Sequence, residues 1–145
     1  MNKQCHDVRG FTLIEIMVVV VILGILASIV VPKLLDRPDQ ARITKAQLDI
    51  KGFEESLGMF KLDNGFFPTT EQGLNALVSI PTSGRIPAKY PDAGYLRKFP
   101  LDPWDGNYLY LSPGPQSNDY DIISYGADGE PGGEGVDGDI NSWEL

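Results

Sequence analysis

Arg9-Gly10-Phe11-Thr12-Leu13-Ile14-Glu15 opens a run from Phe11 to Val31 in which Glu15 is the one charged residue. As a helix, a run of this length extends roughly 31 Å, close to the ~30 Å thickness of a bilayer's hydrocarbon core. A cleaved secretory signal has a shorter apolar core, about 7–15 residues, and small residues at its exit. This run instead ends in Val30-Val31-Pro32-Lys33. A lipoprotein signal needs a cysteine after the apolar run, and the only cysteine, Cys5, precedes it. Lys3 and Arg9 before the span favour a cytoplasmic N-terminus, while Lys33 and Arg37 beyond it weaken the bias. Taken alone, these features describe a signal anchor.

Glu15 departs from that description. A carboxylate at a bilayer centre costs about 2.5–3.5 kcal/mol, and less near an end. Glu15 lies one turn inside the span, so its side chain either reaches back to the headgroups or has a cationic partner. No basic residue follows it within the run. If the chain were cut before Phe11, the nearest cation would be the new α-amine.

Beyond the span, Pro32 and Pro38 each remove a helix donor and are expected kinks, because helical patterning continues past them. Ile43, Ala46, Ile50, Phe53, Leu57 and Phe60 then recur at spacings of 3 and 4, the apolar face of an amphipathic helix. One long helix, from Phe11 to about Leu62, is therefore expected, its second half the spine of a small head. Asp63-Asn64-Gly65 stops it. Thr70 is expected to cap a short helix to Ser79, with Leu74 and Leu77 facing inward. Asn107–Leu111 and Asp119–Ser124 read as strands, with Tyr95–Phe99 a weaker third and Ser112-Pro113-Gly114-Pro115 a turn. The expected class is α+β, the long helix packed on a small antiparallel sheet.

The net charge is −8, and no Lys or Arg follows Lys98. Ten acidic residues lie beyond it, from Asp102 to Glu144, the wrong sign for nucleic acid. Gly126 to Gly138 holds six glycines, and Asp128, Asp137 and Asp139 supply hard oxygen donors around them. Such a segment is either a solvated acidic tail or a cation site. Zinc and copper would want His or Cys. Asp137-Gly138-Asp139-Ile140-Asn141 begins like an EF-hand loop, but Ser142 replaces the turn glycine and the chain ends before a twelfth position. His6 is the only histidine, so Ser and Cys nucleophiles lack a histidine base, and no Gly-Lys-Ser/Thr ending makes a phosphate cradle. No catalytic constellation is present in the sequence, and the expectation is that the protein is not an enzyme.

The Arg9–Glu15 junction resembles the leader of type IV pilins and pseudopilins. Further segments resemble the major pseudopilin of bacterial type II secretion systems. These are Thr69 to Leu77, the turn Asp102-Pro103-Trp104-Asp105-Gly106 with either an insertion or an equivalent substitution relative to Asp-Pro-Trp-Gly, Ser124 to Gly129, Gly132 to Gly135, and Asp139 to Trp143. The resemblance runs from Arg9 to Trp143. It implies a type IV pilin-like fold with a C-terminal calcium loop. The organisation it implies is a cleaved leader at 1–10, a transmembrane and filament-core helix at 11–32 and a periplasmic head at 33–145. A prepilin peptidase would cut between Gly10 and Phe11 and methylate Phe11. Glu15 would neutralise the α-amine of an adjacent subunit. Asp128 and Asp139, with Asp137 and the carbonyls of Tyr125 and Val136, would hold calcium.

The implied function is that of a subunit of the pseudopilus, a helical homopolymer grown from the inner membrane that drives folded proteins through an outer-membrane channel. Minor pseudopilins and the inner-membrane secretion platform are the implied partners, with lipid around the span before assembly and no role for nucleic acid. Two rivals stand beside it. A type IV or competence pilin usually closes its C-terminal region with a disulfide, which a chain with one cysteine cannot make. A signal-anchored calcium-binding domain that never polymerises would keep its leader.

Overall fold

The structure, a computed structural model, describes residues 11–99 and 101–145, with the backbone alone described for 29–37. Helix α1 runs Leu13–Asn64. The chain divides into two compact units, residues 1–37 and 38–145. The head was expected to begin at 33, and residues 33–37 fall among those whose side chains lie outside the description.

In the first unit, α1 exposes every large apolar side chain described, from Leu13 at 82 % to Val19 and Ile22 at 50 %. An apolar surface on all sides of a helix is stable only inside other apolar matter. Among the described residues, no helix is long and apolar enough to cross a membrane. Helical side chains are described here only as far as Ser28, short of the about 20 residues a span needs. The expected span, 11–32, runs past that point.

In the second unit, α1 presents the 3-and-4 stripe to the core. Ala46, Ile50, Leu57 and Phe60 are fully buried, Phe53 nearly so, and Ile43 flanks them. Over this stripe lies a three-stranded antiparallel sheet of β1 (Leu109–Leu111), β2 (Asp121–Ser124) and β3 (Ile140–Asn141), in the order β1-β2-β3. Tyr110 faces Ile122 and Ser124 faces Ile140. Alternation from Tyr108 through β1 buries Tyr108 and Tyr110 and leaves Leu109 and Leu111 half-buried, as expected. Tyr108 meets Phe53 edge-on at 5.0 Å between ring centroids, and its hydroxyl donates to Asp49 Oδ2 at 2.9 Å.

Three local expectations are corrected. Tyr95–Phe99 is not a strand: the Tyr95 and Leu96 amides both donate to the Leu77 carbonyl at 2.8 Å, which folds the segment onto the preceding turn. The third strand is β3, too short for periodicity to reveal. The short helix is a single 3-10 turn, Leu74–Leu77, with both leucines buried. The residue that closes the turn before it is Thr69. Its hydroxyl accepts from the Gln72 amide at 3.3 Å, while Gln72 Oε1 accepts from the Thr69 amide at 3.0 Å. This is the reciprocal arrangement of a capping box. Thr70 is used elsewhere, its hydroxyl pairing with both backbone groups of Ser112 next to β1.

Candidate functional site

Two places carry the candidate residues: the start of α1 and the glycine-rich loop that ends the head. Gly10 lies outside the described residues. Phe11 is 80 % exposed. The helix opens at Thr12, whose hydroxyl accepts from the Glu15 amide at 3.3 Å while its carbonyl accepts from the Glu15 and Ile16 amides. Thr12-Leu13-Ile14-Glu15 thus has the spacing of a capping box, with Glu15 in the first turn. A carboxylate there faces the positive end of the helix dipole. Thr12 was not among the expected site residues, although its Thr-x-x-Glu spacing was legible. The carboxylate therefore sits where a second positive charge, such as an α-amine, adds to a field already in place.

The loop follows β2. Gly126, at φ +64°, is crowded by the carbonyls of Val136 and Gly138, each 2.8 Å from where a Cβ would stand. Only glycine fits there. The Ala127 amide donates to the Val136 carbonyl at 3.0 Å and closes the loop on itself. Of the carboxylates expected to bind metal, Asp128 is exposed, and its Oδ1 accepts from the Glu130 amide at 3.0 Å. Asp137 is half-buried on a 3-10 turn, Gly135–Asp137. Asp139 Oδ2 accepts from the Gly132 amide at 3.0 Å, whereas its Oδ1 is buried with no partner. Among the described residues, no three His, Cys, Asp or Glu side chains converge as a metal site. What the loop offers is one buried carboxylate oxygen without a partner, Oδ1 of Asp139. A cleft of about 530 Å3 lies beside it, lined by Ile43 and Gln47 of α1 and by Gly133, Asp139 and Leu145.

Two buried carboxylates brace opposite ends of β2, Asp102 at the end that feeds the loop and Asp121 at the other. Asp102 Oδ1 accepts from the Trp104 and Gly106 amides at 3.0 and 2.6 Å, and Oδ2 accepts from the Ser124 hydroxyl at 3.0 Å. The Asp-Pro-Trp-Asp-Gly turn is thereby tied to the strand that feeds the loop. Asp105, in the middle of that turn, takes φ +66°. Asp121 accepts from the Gln116 and Ser117 amides and the Ser117 hydroxyl. Burial pushes its pKa up, but those three donors outweigh it and hold the carboxyl below its ordinary range.

Comparison with known proteins gives this arrangement its family. Residues 33–143 match the family described as "Type II secretion system (T2SS), protein G". Residues 5–31 match the "Prokaryotic N-terminal methylation motif". The chain belongs to the protein G family of type II secretion systems.

The chain is 54 % identical over 141 residues to the type II secretion system core protein G of Pseudomonas aeruginosa, covering 97 % of this chain and 99 % of that one. It is 50 % identical over 143 residues to the core protein G of Vibrio cholerae, covering 99 % and 97 %. The crystal structure of the major pseudopilin from the type 2 secretion system of enterohaemorrhagic Escherichia coli superposes with a TM-score of 0.67. It shares 46 % identity and covers 80 % of this chain and 98 % of that one. The protein is a structural subunit of the pseudopilus, with a pseudopilin α+β fold. The family match decides between pseudopilin and type IV or competence pilin in favour of the former.

Proposed function

We propose that this pseudopilin is made with its N-terminus in the cytoplasm and its head in the periplasm, anchored in the inner membrane by residues 11–32. A prepilin peptidase cuts it between Gly10 and Phe11, methylates Phe11, and releases it sideways into a growing helical homopolymer. Addition of subunits at the base pushes secreted proteins outward. Minor pseudopilins and the inner-membrane platform are the partners of that process. The observation that carries this reading is the start of α1, where Glu15 in the first turn leads a helix whose large apolar side chains, among the described residues, are all exposed. Such a helix needs lipid first and neighbouring helices afterwards. Intact-mass measurement after co-expression with a prepilin peptidase tests it. The expected product lacks residues 1–10 and carries one methyl group on Phe11. An uncut chain would leave a signal-anchored domain that does not polymerise.

Calcium in the C-terminal loop belongs to the same proposal. Asp139, through its unpartnered Oδ1, is the best supported donor. Asp128, Asp137 and the carbonyls of Tyr125 and Val136 complete the proposed set. The ion would supply the positive charge that this acidic loop lacks, and the chain's part is to hold Val136 and Gly138 against Gly126.

A further inference from the structure

The end of α1 combines two requirements that conflict chemically. Asn64 is its last residue, and Gly65 after it takes φ +78°, the left-handed conformation in which helices commonly end. A side chain at 65 would be strained there, although an added Cβ would meet no neighbour within 4 Å. The half-buried Asn64 side chain clamps the helix end to the chain that crosses it. Its Nδ2 donates to the Phe60 and Lys89 carbonyls at 3.1 and 3.0 Å and lies 3.2 Å from the Tyr95 hydroxyl. Its Oδ1 accepts from the Lys89 amide at 3.0 Å. Tyr95 in turn donates to Asp63 Oδ2 at 2.9 Å and packs on Phe60. The fold thus calls for a carboxamide at 64 and a glycine at 65.

That pair is also the one most open to intramolecular deamidation, because glycine has no side chain to hinder attack by its own amide. Asn64 is the one asparagine of six that precedes glycine. In the reaction the Gly65 nitrogen bonds to Cγ of Asn64 and the Cγ–Nδ2 bond breaks. The Gly65 amide proton leaves with Nδ2 as ammonia. Water then opens the five-membered imide at either carbonyl, giving aspartate or isoaspartate, and no other reactant is needed. In the folded head both reacting groups are engaged. The Gly65 amide donates to the Lys61 carbonyl at 2.7 Å, and the carboxamide is held as described. Opening of the helix end frees both at once, and frayed ends open at lower free energy than cores. The product does not fit the same clamp. A carboxylate only accepts, so the Phe60 and Lys89 carbonyls lose their donor. It also adds a negative charge beside Asp63 at the C-terminal end of α1, where the helix dipole is already negative.

We infer that Asn64 is a deamidation site, closed by the folded head and opened when the end of α1 unfolds, so that a transient opening becomes a permanent mark. This holds whether or not the chain polymerises as proposed above. The detergent-solubilised full chain is incubated at mildly alkaline pH with and without urea, then digested with trypsin, and the mass of the peptide Leu62–Arg85 is read. The same peptide holds Asn75, which precedes Ala76 and serves as an internal control. Asn64 is expected to convert roughly tenfold or more faster in urea than in the folded chain, following the population of open molecules, with Asn75 intact in both. Tyr95→Phe removes one hydroxyl from the clamp, so it raises the rate in the folded chain and leaves the rate in urea unchanged. Asn64→Asp, which mimics one product, lowers the melting temperature. Equal rates with and without urea, or no conversion in urea, would overturn the inference. So would an unchanged folded-state rate in Tyr95→Phe, or melting of Asn64→Asp together with wild type.

Discussion

In the proposed function, Glu15 is the residue at which insertion and assembly part. Removing its carboxylate lowers the cost of placing α1 in lipid, by up to about 3 kcal/mol at the bilayer centre and less near its edge. It also removes the charge that would pair with a neighbour's α-amine, and two opposite charges in a medium of low dielectric depend strongly on each other. Glu15→Ala is therefore expected to insert and be cut normally yet yield few filaments, measured by comparing membrane and sheared fractions. Filament yield equal to wild type would exclude the pairing. In the head, Asp121 is the comparable residue, fully buried and accepting three hydrogen bonds. Its folded pKa is depressed, so its contribution is present above the unfolded value near 3.9 and is lost as pH falls through the lower folded value. Asp121→Asn is expected to destabilise the head by about 2 kcal/mol near neutral pH, because amide donors then face an amide donor. It should also flatten the decline in melting temperature between pH 5 and pH 2. A variant that melts in parallel with wild type across that range would show that the carboxylate is not held this way.

Elements were legible in the sequence to the degree that their cause is local. The 3-and-4 stripe from Ile43 to Phe60 marked the buried face of α1, because burial against a sheet requires that period. Alternation of tyrosine and leucine marked the faces of β1. By contrast, β3 is two residues long and owes its place to pairing with β2, which no local pattern encodes. Thr69 and Thr70 are chemically alike at the sequence level, and only the position of Ser112 and Gln72 in the fold assigns one to the turn and the other to the sheet edge. Thr69→Ala is expected to cost about 1 kcal/mol, seen as a lower melting temperature. Thr69→Ser should recover most of it, and equal melting of all three would remove the cap from the account. The glycine-rich loop was legible in composition but not in geometry. Its glycines announced unusual backbone, whereas the approach of Val136 and Gly138 to Gly126 depends on how the loop closes. Ordering each residue of such a loop costs roughly 1–2 kcal/mol in backbone entropy, and its carboxylates repel one another. A cation that binds only the folded loop adds RT ln(1 + [L]/Kd), about 2.7 kcal/mol at a hundredfold excess over Kd. Calcium is thus expected to raise the melting temperature of the head, magnesium to do so poorly, and Asp139→Ala to abolish the response. Identical melting in calcium and in chelator would reduce the loop to a solvated tail.

The whole molecule joins two units whose stability has different sources. The core of the head draws on residues from Ala46 to Ile140, all within the unit that begins at Pro38. The large apolar side chains of the first unit, among the described residues, are at least half exposed. Fully burying each large apolar side chain is worth about 1.5–3 kcal/mol, so leaving this helix in water costs far more than a domain's usual net stability of about 5–15 kcal/mol. The helix must therefore always be in lipid or among other helices. Lipid and a bundle of apolar helices are nearly equivalent solvents for such a surface. In the proposed function the transfer from one to the other is accordingly close to balanced, and polar contacts such as the proposed pairing of Glu15 would set its direction. This division predicts that residues 38–145 alone are a folded, soluble monomer. They should melt cooperatively within a few degrees of the head in the full chain, and they should neither join filaments nor restore secretion to cells lacking the subunit. Size-exclusion chromatography with light scattering, thermal melting followed by circular dichroism, and a secretion assay measure the three parts. An unfolded or aggregated fragment would show that the head depends on the first unit for its own stability. A fragment that joins filaments would show that contacts between heads suffice without the apolar helix.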